Sequence, residues 1–132
     1  MTEKSTDDRI IFHVDLQIME VDFSDITFES AEQVNSFYDQ LEARVAGTES
    51  DKWYFLVNYR NCKLTPRTWI PFANRGKKLN LAHSLGSVRF EADEATRKSI
   101  EERSIREKFD ANLENSRENA LAKIESMKKA VS

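Results

Sequence analysis

Trp53-Tyr54-Phe55-Leu56-Val57 is an unbroken apolar run, bounded by Asp51-Lys52 before it and Asn58 after it. Five consecutive β-branched, aromatic and aliphatic residues with no helical spacing describe a strand buried on both faces. A strand of that kind needs cover above and below, so helices must flank it on either side.

Reading backwards from this run, Ser30-Ala31-Glu32-Gln33 has the pattern of a capping box. The Ser30 hydroxyl can accept from the amide three residues on, and Gln33 can reach back. Ala31, Val34, Phe37, Tyr38, Leu41 and Val45 then recur at three- and four-residue spacing. That is one stripe of an amphipathic helix, with Gly47 as its stop. Tyr38 is expected at the edge of the stripe, its ring buried and its hydroxyl wet. Further back, Met19, Val21 and Phe23 alternate with Glu20 and Asp22, the period of a half-buried strand. Ile10-Ile11-Phe12-His13-Val14 is near enough to pair with it as a hairpin.

Reading forwards, Thr65-Pro66 looks like an N-cap followed by proline at the first helical position. Pro71 conflicts with one regular helix from Thr65, because it lacks a donor and crowds the preceding turn. A short first turn is therefore expected, then the main helix from about Ile70 with Pro71 at its N1. Ser87–Phe90 reads as a short strand. Asp93 caps a strongly charged helix over about 94–106, thin in apolar residues. Residues 109–113 suit a last strand or extended segment. Ser116 caps a final helix with Ala120, Leu121, Ile124, Met127 and Val131 on one face. The expected order is β-β-α-β-α-β-α-(β)-α, an α/β domain with a mixed sheet of four to five strands and about four helices. Residues 1–8 are expected to be loosely ordered or disordered, with 9–132 forming one domain.

The 132 residues carry a formal net charge of −3, which hides a partition. Residues 1–51 hold thirteen acids against three bases. Residues 52–90 hold eight bases and no acid, and residues 91–132 hold ten acids against nine bases. Such asymmetry informs about partners rather than fold. The overall acidity weighs against an indiscriminate nucleic-acid binder. Trp53, Tyr54, Tyr59, Trp69 and Phe72 interleave with the bases, but no RNA-binding motif accompanies them. A single cysteine excludes an internal disulfide and an all-Cys zinc site. No apolar run reaches membrane-spanning length, and the polar N-terminus lacks the core of a signal peptide. A cytoplasmic protein without a cofactor is expected.

The element order and the residues that carry it resemble the STAS fold, and more narrowly the SpoIIAA-like small bacterial proteins. These residues are the acidic first hairpin, the strand Trp53–Val57, the helix leading into His83-Ser84-Leu85-Gly86-Ser87-Val88-Arg89-Phe90, and the close Phe109-Asp110-Ala111-Asn112-Leu113…Ser116-Arg117-Glu118-Asn119-Ala120-Leu121. The resemblance implies a non-enzymatic regulatory or interaction domain, or a small-molecule or lipid carrier of the lipid-transfer type. The phosphorylatable members carry an Asp-x-Ser-Gly sequence where this chain reads Arg60-Asn61-Cys62-Lys63-Leu64-Thr65. A kinase-operated partner switch is not implied here.

The candidate binding surface is the basic loop and helix at 60–78. Arg60, Lys63, Thr65 and Arg67 follow the carboxyl end of a central strand, where open α/β sheets place ligands. Helix N-terminal amides there attract anions. Arg75, Lys77 and Lys78 extend the surface. Its expected occupant is an acidic partner protein or a small anionic molecule. A carrier would instead need a cavity under Trp69, Phe72 and Leu79. Cys62, near these cations, is a candidate reactive thiol. The carboxylates of 15–32 follow strand alternation and a helix first turn, so they are not read as a metal site. They are expected to pair with the basic segment, within one molecule or between two copies of a homo-oligomer.

Overall fold

The computed structural model describes residues 5–108 and 110–131. The chain folds as a mixed α/β domain around a five-stranded sheet. Strands β1 (Ile10–His13), β2 (Ile18–Asp22), β4 (Trp53–Asn58), β6 (Ser84–Phe90) and β7 (Leu113–Glu114) lie in the order β1-β2-β4-β6-β7. Only the β1–β2 pair is antiparallel; the other three pairs are parallel. Two-residue strands β3 (Thr27–Phe28) and β5 (Lys63–Leu64) form a separate parallel pair. Helices α1 (Ala31–Ala46), α2 (Trp69–His83), α3 (Glu94–Glu107) and α4 (Arg117–Val131) make the connections and the close.

The apolar run sits in the middle of the sheet, and every residue from Trp53 to Val57 is buried. Its side chains divide by alternation. Trp53, Phe55 and Val57 join a core with α1, Phe72 and Leu79 of α2, and Ile100 of α3. Tyr54 and Leu56 join a second core with Val88 and Phe90 of β6 and Ala120 and Ile124 of α4. Three helices thus cover one face and α4 covers the other. Gly86 lets α4 approach β6 closely: a Cβ there would lie 2.9 Å from the Met127 sulfur.

The caps form as the sequence dictates. Ser30 accepts from the Gln33 amide at 3.2 Å, and Gln33 accepts from the Glu29 amide. Asp93 accepts from the Thr96 amide at 2.8 Å, and Ser116 from the Asn119 amide at 3.1 Å. The Pro71 region differs from expectation. Pro66–Thr68 is a separate 3-10 turn, and α2 starts at Trp69, so Pro71 is its third residue. The first turn has no intrahelical acceptors for its amides, so a proline there removes no bond. Strand β6 starts at Ser84, three residues earlier than expected. Within the expected loose segment 1–8, Asp7 and Asp8 open a 3-10 turn that ends at Arg9, and Arg44 donates to the Asp7 carbonyl and carboxylate. Residues 1–4, Phe109 and Ser132 lie outside the described residues.

Candidate functional site

Sheet alternation creates an imbalance on the α1–α2–α3 face. Val88 and Phe90 of β6 turn toward α4, so β6 presents Ser87 and Arg89 to the opposite side, while Leu85 sits at a register shift before them. Neither Ser87 nor Arg89 is a large buried apolar side chain. Above them, Thr96 and Ile100 are the buried residues of α3 among those described. Among the described residues, little side-chain volume fills the space between α2, α3 and β6. The cleft here belongs to a depression of about 730 Å³ whose lining also includes Tyr54 and Gly86 and, from α4, Met127, Ala130 and Val131, within the roughly 300–1,000 Å³ range of small-molecule sites.

Its floor is Met19 and Val21 of β2, and Phe55 and Val57 of β4. Helix α2 roofs it with Trp69, Phe72, Ala73, Gly76 and Leu79. One end is apolar and open to solvent: Leu81 is 76% exposed, Leu85 46% and Val131 79%. The other end is polar. Tyr38 of α1, Tyr59 just beyond β4, and Arg89 line it together. Arg89 donates to the Ala111 carbonyl at 3.0 Å and reaches the Tyr59 hydroxyl.

Gly76 is the backbone feature that admits this polar end. A Cβ at Gly76 would sit 3.3 Å from the Tyr38 hydroxyl. Tyr38 was expected to keep that hydroxyl in bulk water. It is instead 4% exposed, with the hydroxyl directed beneath α2. Burial, and then the neighbouring Tyr59, push its ionisation well above the usual 10.0. Burial likewise pushes Tyr59 up to about 12, with the Arg89 charge pulling the other way. Both phenols are neutral hydrogen-bond donors at any physiological pH.

The basic segment does not form one continuous free surface. Arg75 crosses to α1, donating to Asn35, Asp39 and Glu42 at 3.0, 2.9 and 2.8 Å. Its guanidinium also lies 5.6 Å from the Tyr38 ring centre. Lys63 pairs with Asp93 at 3.4 Å. The Thr65 hydroxyl caps no helix amide and points to the Thr68 hydroxyl. Thr68, fully buried, donates to the Thr65 and Phe28 carbonyls. Arg60, Arg67 and Lys78 are exposed, and Lys77 lines the cleft. Arg75 is thus a clasp between α1 and α2. Replacing it with alanine lowers the unfolding free energy by about 1–2 kcal/mol, since charge-assisted bonds to partly exposed partners are worth that much. Urea denaturation reads this directly.

Cys62 is completely buried. Burial, reinforced by the Asp93 charge, pushes its thiol from 9.0 up to about 12. With Tyr38 and Tyr59 it makes the fold sensitive to alkali. All three have folded-state values raised above their unfolded ones. Their contribution is intact below pH 9 and is lost as the pH rises toward 12. Tyrosinate absorbance should then show Tyr38 and Tyr59 ionising with unfolding. Iodoacetamide should label Cys62 only in denaturant. Ionisation of Tyr38 and Tyr59 ahead of unfolding would contradict their burial.

Among the early carboxylates, Glu20 has a partner outside the basic segment. Glu20 accepts two bonds from Arg117 of α4, each 2.8 Å, and one contact of 2.8 Å from His13. Burial would raise the Glu20 carboxyl, but these partners hold it below its usual value. Arg9, nearly buried, donates to the Asp22 and Ser24 carbonyls. Asp25 accepts from Asn61 of the 60–78 segment. Among the described residues no three His, Cys, Asp or Glu side chains gather as a metal site, and no helix is long and apolar enough to cross a membrane.

Comparison with protein-family models, with curated proteins and with solved structures gives no match to this chain. What can be stated of its class rests on the fold and the cleft: a mixed α/β domain with a ligand-sized cavity between α2, α3 and β6.

Proposed function

We propose that this chain is a non-catalytic carrier domain of STAS-like, SpoIIAA-like architecture that holds a small apolar molecule in the cleft. The observation that carries this is the cavity of about 730 Å³ under Trp69, Phe72 and Leu79. Its walls are mainly apolar, its inner end is polar and its mouth is rimmed by exposed leucines. That combination suits binding and release of an apolar molecule without chemistry. The STAS-like assignment is supported by an initial hairpin followed by helices returning each strand to a parallel neighbour. A cytoplasmic setting is in keeping with the lone thiol.

Titration with N-phenyl-1-naphthylamine, an uncharged fluorescent amphiphile, tests the proposal. At about 0.3 kcal/mol per heavy atom, a ligand of about 17 heavy atoms binds with a Kd of about 0.2 mM. Saturable enhancement at one site is expected; linear, non-saturating fluorescence would refute a carrier role. Regulation through an acidic partner has one supporting feature, the exposure of Arg60 and Arg67 beyond the carboxyl end of β4. Charge reversal at both positions would abolish such a contact and leave probe binding unchanged.

A further inference from the structure

Resting on the carrier reading, we infer that the natural cargo is an apolar molecule with an uncharged carbonyl group, whose oxygen accepts a hydrogen bond from the Tyr38 hydroxyl beneath α2. Three observations lead there.

The first is a donor without an acceptor. Tyr38 is 4% exposed, and its ring packs against Phe23, Phe37 and Phe72. Its hydroxyl bonds to none of the described residues; Tyr59, Arg89, Cys62 and Arg75 act on it through space only. Buried side-chain polar atoms nearly all have a partner. Among the described residues, Nε of Arg75 is the one side-chain nitrogen or oxygen both sealed from solvent and unpartnered. The Tyr38 oxygen is therefore not sealed, and it opens on the cleft that Tyr38 lines.

The second is another donor on the same roof. Gly76 stands over the Tyr38 hydroxyl, where a Cβ would lie 3.3 Å from it. One turn further along α2, Asn80 donates from Nδ2 to the Gly76 carbonyl at 2.7 Å. A carbonyl only accepts, so this bond fixes the Asn80 nitrogen toward Gly76. The Asn80 oxygen then accepts from the Ser87 hydroxyl. An amide nitrogen carries two protons. Gly76 takes one, and the other has no acceptor among the described residues.

The third is the state of the acceptors. The Gly76 carbonyl takes Asn80, the Asn80 oxygen takes Ser87, and the Ser87 hydroxyl lies 3.0 Å from that of Ser84. Asn80, Ser84 and Ser87 line the cleft with Tyr38. The unmet groups here are thus donors, and both are neutral. A carbonyl oxygen has two lone pairs and no proton, so it answers them without adding a donor. An alcohol brings a proton of its own, and a charged head gives up its hydration for neutral bonds. Lys77, Arg89 and Arg103 also line the cleft, but each is engaged with other groups. The floor of Met19, Val21, Phe55 and Val57 suits the apolar body of such a cargo.

The test titrates the full chain with two uncharged fluorophores of about 17 heavy atoms each. One is 6-propionyl-2-(dimethylamino)naphthalene, a ketone; the other is N-phenyl-1-naphthylamine, which has no carbonyl. The ketone emits at longer wavelength when its oxygen accepts a hydrogen bond. Bound to the wild type, it should emit at longer wavelength than in cyclohexane. Tyr38→Phe keeps the ring and removes the oxygen. It should weaken ketone binding about three- to tenfold relative to the naphthylamine, the worth of one hydrogen bond, and shift the bound emission to shorter wavelength. The urea midpoint should not fall, because no bond within the protein is lost. Cyclohexane-like emission in the wild type overturns the carbonyl assignment and leaves the carrier proposal standing. So does an unaltered affinity ratio in Tyr38→Phe, or a lowered midpoint that shows the hydroxyl already bonded within the protein. If neither fluorophore binds saturably, both proposals fall.

Discussion

Replacing Phe23 with alanine should lower the unfolding free energy by about 3–5 kcal/mol. Phe23 follows β2 and is 2% exposed. Its ring is the hub of the aromatic core. It meets Phe37 at 4.9 Å, Phe72 at 5.3 Å, Tyr59 at 5.5 Å, Phe28 at 5.9 Å and Tyr38 at 6.2 Å between centroids. Those partners come from β3, α1, α2 and the end of β4. Truncation therefore removes packing between four elements at once, and each aromatic pair adds about 0.5–1.5 kcal/mol beyond its buried area. A domain of this kind has about 5–15 kcal/mol in total, so the variant should unfold at far lower urea. A loss under about 1 kcal/mol would mean that the rings do not pack around Phe23 as described.

Ala73→Trp should abolish probe binding while leaving the fold intact. Ala73 lines the cleft from α2, and an indole there occupies the volume a ligand needs. In a close-packed core such an insertion costs about 1–3 kcal/mol. Over an open cleft it should change stability by less than about 1 kcal/mol. Ile70→Trp serves as the control, because Ile70 is 66% exposed and lies outside the cleft lining. It should bind the probe as the wild type does. If Ala73→Trp bound normally, the ligand would have to sit elsewhere. If it unfolded the protein, the space under α2 would be a packed core and not a cleft.

The fold was largely legible because its signals are local. The Trp53–Val57 run, the Ser30 and Asp93 caps and the stripe of α1 each depend on residues a few positions apart. The cleft was legible in part: Trp69, Phe72 and Leu79 were expected over a cavity if the chain were a carrier, and all three line it. Its polar end was not. Tyr38 and Tyr59 read as core aromatics because their one-dimensional setting is apolar. Only the pairing of β4 with β6 brings Tyr59 beside Arg89. One signal was available in the sequence. In Leu85-Gly86-Ser87-Val88-Arg89-Phe90 the polar residues alternate with the apolar ones, yet a parallel strand is normally covered on both faces. Ser87 and Arg89 thus had to face inward or line an opening. Glu20 lay beyond local reading for another reason: its partner is Arg117, 97 residues away, a distance no local pattern conveys.

The two tryptophans offer the most direct measurement of whether the cleft binds ligand. Trp69 lines it. Trp53 is buried beside Phe12, with its indole N–H bonded to the Ser50 carbonyl, and it does not line the cleft. In a ¹H–¹⁵N NMR titration of the full chain with N-phenyl-1-naphthylamine, the Trp69 indole signal should shift and saturate while that of Trp53 stays in place. A saturating shift at neither indole, or equal shifts at both, would contradict a ligand site under α2.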